Sequence, residues 1–270
     1  MPAKSRTYQP QKVRAALAAQ NEALRAAVHR LSAPDLDRPT RLGSWRVREL
    51  VAHLSLALGS LPARLDEPSP GPVISLSDYA GLSRTMADTV DTAVTRFAAD
   101  AFAGPPEDVA AAFDRQLDAV RSVLDGPAVA EPGRRIPLLS GRSMLLADYL
   151  VTRLVEAVVH ADDLADALGL AAFPHDRQAV AAVTRLLADA FADRVPGGAV
   201  ELRIPPYAVV QAVPGPKHTR GTPPNVVETD PLTWIRLATG RVPWAAAVAD
   251  HGVAASGERS DLAEYLPVLG

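Results

Sequence analysis

Cysteine is absent from these 270 residues. That absence excludes disulfides, a Cys-x-x-Cys redox pair, thiolate metal ligands and a cysteine nucleophile, so any sulfur chemistry must use a borrowed thiol. Lysine is nearly absent too, with 3 against 25 arginines. Together with abundant Ala, Gly and Pro, this is the bias of GC-rich codons and says nothing about fold. Charge of one sign is also scarce: the net charge is -3 and no Lys/Arg run occurs, which argues against nucleic acid or an anionic membrane as the main partner. No run reaches the roughly 18 apolar residues that a membrane helix needs. The N-terminus carries Lys4, Arg6, Lys12 and Arg14 but no apolar signal core. The expectation is a cytoplasmic protein with a small-molecule partner. A P-loop, a Gly-x-Gly-x-x-Gly strand-turn-helix and a Gly-x-Ser-x-Gly elbow are missing as well, which leaves nucleotide-dependent and serine-hydrolase readings little support.

What is present is apolar residue at helical spacing. With 48% hydrophobic residues the chain is long enough for two cores, and two domains are expected, 1–172 and 173–270. The spacing predicts helices over about 9–31, 45–65, 78–103, 107–124 and 143–168. In the second, Val47, Leu50, Val51, Leu54, Leu58, Leu61 and Leu65 trace one stripe after a Gly43-Ser44 cap. These segments read as an up-and-down helical bundle. A further helix over 175–194 leads into period-two alternation at 199–204 and 207–213. Asp230 is placed to cap a helix running to Gly240. Strands near 245–249 and 253–256 and a short helix at 260–265 complete a mixed α and β domain.

Chemistry concentrates at Glu156 and His160, which stand at i and i+4 on one helix face, about 6 Å apart, and at His53 on the second helix. Thr152, Arg153, Glu156, His160 and Asp163 share the polar side of their helix. Either that side is in water, or it lines a polar pocket inside the bundle. His53 lies at the edge of its apolar stripe, where a satisfied core histidine is the alternative to a ligand. Two imidazoles and one carboxylate leave a fourth tetrahedral position open, as in catalytic zinc sites, and suit nickel or iron also. A thiol bound at such an ion loses its proton at neutral pH and becomes a nucleophile. Asp163, three residues beyond His160, is able to orient that ring from behind, or is simply solvated.

Two stretches carry a resemblance. Leu42-Gly-Ser-Trp-Arg-Val-Arg-Glu-Leu-Val-Ala-His53-Leu and Arg153-Leu-Val-Glu156-Ala-Val-Val-His160-Ala-Asp-Asp-Leu resemble, in order, the two signatures of the mycothiol-dependent maleylpyruvate isomerase family, a branch of the DinB-like four-helix bundles. The resemblance covers roughly residues 9 to 170. It implies that His53, Glu156 and His160 bind the metal, and that mycothiol, a low-molecular-weight thiol of actinobacteria, is the cosubstrate. The C-terminal part departs from the isomerase itself. Its stretch from Glu228 to Arg241, with Gly252 and Ser256-Gly257, resembles the bacterial sterol-carrier-like α/β domains and implies an apolar groove.

The fold class expected is therefore α+β with two domains, a DinB-like bundle followed by a sterol-carrier-like α/β domain. Arg241 is a candidate for holding a substrate carboxylate through its paired donors, or is an arginine beside a helix C-terminus. Arg84 is a similar anion-binding candidate, or a surface charge. The basic loop Pro216-Lys-His-Thr-Arg-Gly221 reads as a lid or as a turn. The function expected is thiol transfer or thiol-assisted isomerisation on a small electrophile. A non-enzymatic carrier of an apolar ligand and a metal-activated hydrolase are the alternatives.

Overall fold

The computed structural model describes residues 6–82, 87–215 and 223–269. These fall into two compact units, one of residues 8–75 and 87–179, the other of 6–7, 76–82 and 180–269.

In the first unit four long helices surround one core: α1 (Pro10–Val28), α3 (Val47–Arg64), α6 (Pro106–Asp125) and α7 (Leu146–Leu168). Helix α1 packs on α7 and α6, and α3 packs on the same two, which closes the ring of a four-helix bundle. The sequence stripes supply the filling. Leu17 and Leu24 of α1, Leu50, Leu54 and Leu61 of α3, Phe113 and Val120 of α6, and Leu150, Leu154 and Val158 of α7 are all buried. Each such side chain contributes roughly 1.5–3 kcal/mol of burial free energy. A short α2 (Ala33–Leu36) precedes α3, and α5 (Ala87–Ala101) packs on α3. Helix α7 stops at Gly169, whose φ of 68° favours a residue without a Cβ, and Leu170 N–H closes the end on the Ala165 carbonyl.

The second unit holds α4 (Leu76–Leu82), α8 (Arg177–Arg194) from Val180 on, and a sheet of β3 (Val200–Ile204), β4 (Ala208–Ala212), β5 (Val226–Thr229) and β6 (Val253–Ser256) in the order β4-β3-β5-β6. Strand β3 runs antiparallel to β4 and parallel to β5, which runs antiparallel to β6. Val200, Leu202 and Ile204 of β3 point inward. Helix α9 (Pro231–Ala238) follows, capped by Asp230, whose carboxylate accepts from Leu232 and Thr233 N–H. Its Trp234 meets Phe191 of α8 edge-on at 5.6 Å. Replacing Asp230 with Ala should cost about 1 kcal/mol, seen as a lower urea midpoint for loss of secondary structure.

Several expectations need correction. Helix α3 begins at Val47, two residues late, because Arg46 is held extended by a bridge to Pro39 while Glu49 accepts its N–H. The long helix expected at 78–103 is two helices, α4 and α5, assigned to different units. The segment before α7 contains a hairpin of β1 (Arg135–Pro137) and β2 (Ser143–Leu145), whose three-residue strands are too short to show periodicity. The strand expected near 245–249 is α10 (Trp244–Ala249). Its alanines favour helix once Pro243 supplies an extended N-cap, and so short a run carries no reliable period.

Candidate metal centre

Helices α3 and α7 pack together, and their facing sides bring His53, Glu156 and His160 to one spot. His53 Nε2 lies 3.2 Å and His160 Nε2 3.3 Å from the same carboxylate oxygen, Glu156 Oε2. The two imidazoles meet edge-on, their centroids 4.4 Å apart. The three donor atoms lie within 4.8 Å of one another. Donors bound to one ion at about 2.0–2.1 Å and tetrahedral angles stand about 3.3 Å apart. Two of the donor separations already match that spacing. The set therefore fits a small divalent ion and leaves one side of the tetrahedron to an incoming ligand.

The polar side of α7 is not in water. Asp163 is completely buried and Asp162 nearly so. Asp163 Oδ2 stands 2.8 Å from His160 Nδ1, so the ring carries a proton on Nδ1 and turns its Nε2 toward Glu156. Burial opposes a charge on His160, but the Asp163 and Glu156 carboxylates outweigh it and raise its pKa. Burial also pushes Glu156 upward, yet hydrogen bonds from His160 and His53 and the charge of Arg153 hold it well below the carboxylate range. For His53, burial and the neighbouring His160 lower the pKa and keep the ring neutral. Its Nδ1 is buried without a hydrogen-bond partner among the described residues.

A second layer surrounds these groups, and sequence reasoning assigned it no role. Arg153 Nη2 lies 3.9 Å from Glu156 Oε1. The Arg153 guanidinium is buried against the Tyr149 ring and donates to the Ala57 carbonyl and to the Ser60 hydroxyl of α3. Arg41, in the loop before α3, donates from Nε to Asp163 Oδ1 and from Nη2 to Asp162 Oδ2, each at 2.6 Å. Trp45 lies against His53 at 5.1 Å and donates to Asp91 Oδ1. The available signal was adjacent carboxylates on a helix too apolar to be solvated on all sides, because buried charges need counter-charges.

The other candidates fall elsewhere. Arg241 follows the C-terminus of α9 in the second unit and donates to the Thr239 carbonyl at 2.7 Å, as a cation at a helix C-terminus does. Arg84 and the loop 216–221 lie outside the described residues.

The mycothiol maleylpyruvate isomerase N-terminal domain model matches residues 17–165, and the bacterial SCP ortholog model matches residues 176–268. The chain belongs to the mycothiol maleylpyruvate isomerase N-terminal domain family, with a bacterial sterol-carrier-like domain attached. No curated protein gives a significant sequence match. Two solved structures share the fold, one of the mycothiol-dependent maleylpyruvate isomerase and one of a mutant of that enzyme. Both have a TM-score of 0.61 and cover 97% of this chain and 97% of the other, at 13% and 15% identity. The likeness runs through both units, so the C-terminal part, expected to depart from the isomerase, shares its fold. Among the described residues no helix is long and apolar enough to cross a membrane.

Proposed function

We propose that this chain is a metal-dependent enzyme that uses mycothiol to isomerise, or transfer the thiol to, a small electrophilic substrate. His53 Nε2, Glu156 Oε2 and His160 Nε2 hold the ion, with zinc favoured over nickel or iron because two imidazoles and a carboxylate at tetrahedral spacing suit it best. The observation that carries this reading is the convergence of those three donors on one another in a chain without a single cysteine. A divalent ion bound there would stabilise thiolate over thiol at neutral pH and so supply the nucleophile the protein lacks.

The chain's own residues prepare that position. Asp163 keeps the His160 proton on Nδ1. Glu156 stays ionised and contributes the one negative charge of the donor set. Arg153, anchored by α3, sits beside the second Glu156 oxygen and balances that charge. Packing of α3 on α7 leaves these side chains largely buried, which strengthens each of these interactions.

Elemental analysis of the purified protein tests the reading. About one equivalent of zinc, nickel or iron is expected, lost in both His53→Ala and His160→Ala, with turnover that requires added mycothiol. A wild-type protein that takes up no ion even after reloading would sink the proposal, and the sterol-carrier-like unit would then lead as a ligand carrier. Turnover without any thiol would instead mark metal-water hydrolysis.

A further inference from the structure

We propose that Arg41 is a positioning residue for the ion site: from the loop between α2 and α3 it locks Asp163, and through Asp163 the ring of His160, with Nε2 turned toward Glu156. This rests on the metal reading above.

The loop is built to hold that guanidinium still. Thr40 N–H and its hydroxyl both donate to the Trp45 carbonyl, Leu42 N–H donates back to the Thr40 hydroxyl, and Trp45 N–H donates to the Leu42 carbonyl. Arg41 leaves this closed turn and reaches α7 as a fork. One donor goes to each of two adjacent carboxylates, and a longer contact of 3.8 Å reaches Asp166. Asp163 is completely buried, so its orientation is set by its partners. Arg41 takes Oδ1, which leaves Oδ2 aimed at His160 Nδ1. A carboxylate pinned at one oxygen cannot swing away from the imidazole, and the imidazole therefore cannot turn its Nε2 out of line. Metal-binding histidines owe their ring orientation and tautomer to such a partner. Here the partner is itself steered by a residue 122 positions distant in sequence. The same turn places Trp45 against His53, so one loop touches the surroundings of both histidines.

The alternative is a purely structural ion pair, in which Arg41 only neutralises two buried acids. A merely structural role would change stability and leave coordination alone. The test compares wild type, Arg41→Gln, Arg41→Lys and Arg25→Gln, the last a control that removes ion pairs from α1 to Asp114 and Asp118 of α6. The readouts are the zinc dissociation constant by chelator competition and the d–d absorption of the cobalt-loaded protein. Arg41→Gln is expected to weaken zinc roughly 10–100-fold and to alter the cobalt spectrum, as losing an outer partner of a ligand does. Arg41→Lys should recover part of the affinity, since an ammonium keeps the charge and loses the fork. Arg25→Gln should leave both readouts unchanged.

Wild type that takes up neither ion overturns the metal reading itself. Wild type that binds, beside an Arg41→Gln protein with equal affinity and the same cobalt spectrum, overturns the role of Arg41 alone. If Arg41→Gln does not fold, Arg41→Lys decides: an affinity and spectrum identical to wild type overturn the proposal, and a weaker, altered site supports it.

Discussion

Replacing Glu156 with Gln should weaken zinc binding by roughly 1000-fold or more, about 4 kcal/mol, while the bundle stays folded. Glu156 is the one anionic donor in the set, and its Oε2 faces both histidine Nε2 atoms at 3.2 and 3.3 Å. An amide oxygen offers an ion no net charge, and the amide nitrogen of the variant is a donor that repels it. The fold should survive because the substitution preserves shape, and because Arg153 keeps its contacts with Ala57, Ser60 and the Tyr149 ring. A second signature accompanies the lost affinity. Burial opposes the charged form of His160, and two carboxylates, Asp163 and Glu156, overcome it. With one of them gone the His160 pKa should fall in the metal-free protein, which nuclear magnetic resonance of the ring protons reads directly. Chelator competition showing zinc held as tightly by Glu156→Gln as by wild type would remove Glu156 from the site.

Zinc should also change the way stability depends on pH. In the metal-free protein His160 has a pKa raised above its ordinary 6.5, so its stabilising contribution is fully present below pH 6.5 and is lost as pH rises through the raised value. His53 has a pKa lowered below 6.5, so the folded state resists its protonation, and this destabilises as pH falls from 6.5 through the lowered value. The stabilising contribution of Glu156 is present above the ordinary carboxylate value and is lost only as pH falls through its lowered pKa, outside this range. The combined contribution of these three groups to the stability of the metal-free protein is therefore greatest near pH 6.5. Zinc requires both imidazoles neutral, so its contribution should instead grow with pH, reaching about 4 kcal/mol once free zinc exceeds the dissociation constant 1000-fold. Thermal melts between about pH 5 and pH 8, with zinc and after chelation, measure both profiles. Two parallel curves would mean that the histidines do not meet the ion.

Most of the bundle was legible because its signal is local. Leu50, Leu54, Leu58 and Leu61 mark the buried side of α3 by spacing alone, and Asp230 marks the start of α9 because a cap acts within three residues of itself. The hairpin β1–β2 was not legible. Its two strands stabilise each other across a turn, through pairings such as Ile136 with Met144, and neither carries enough residues to display a period. Helix α10 was misread for a related reason: the five residues of Ala and Val after Trp244 carry no period, and only the surrounding chain selects their state.

The site divides in the same way. His53, Glu156, His160 and Asp163 stand out in the sequence because they lie at helical spacings and within motifs. Whether their side of α7 was wet or dry could not be read from α7, since exposure belongs to what packs against a helix. Arg41 and Trp45 were beyond reach as second-layer groups, because the contacts that define them join a loop to α7 and to α5.

The sequence by itself determined the chemistry that is possible: no protein thiol, two imidazoles and a carboxylate on amphipathic helices, and a change from helical to alternating patterning near residue 199. The tertiary structure alone decided that those three donors meet, that Asp163 is dry and in contact with His160, and that Arg41 holds it there. Periodicity and residue type are properties of a segment. A donor separation of 3.2 Å across 103 residues is set by the packing of two helices, and no segment carries that information.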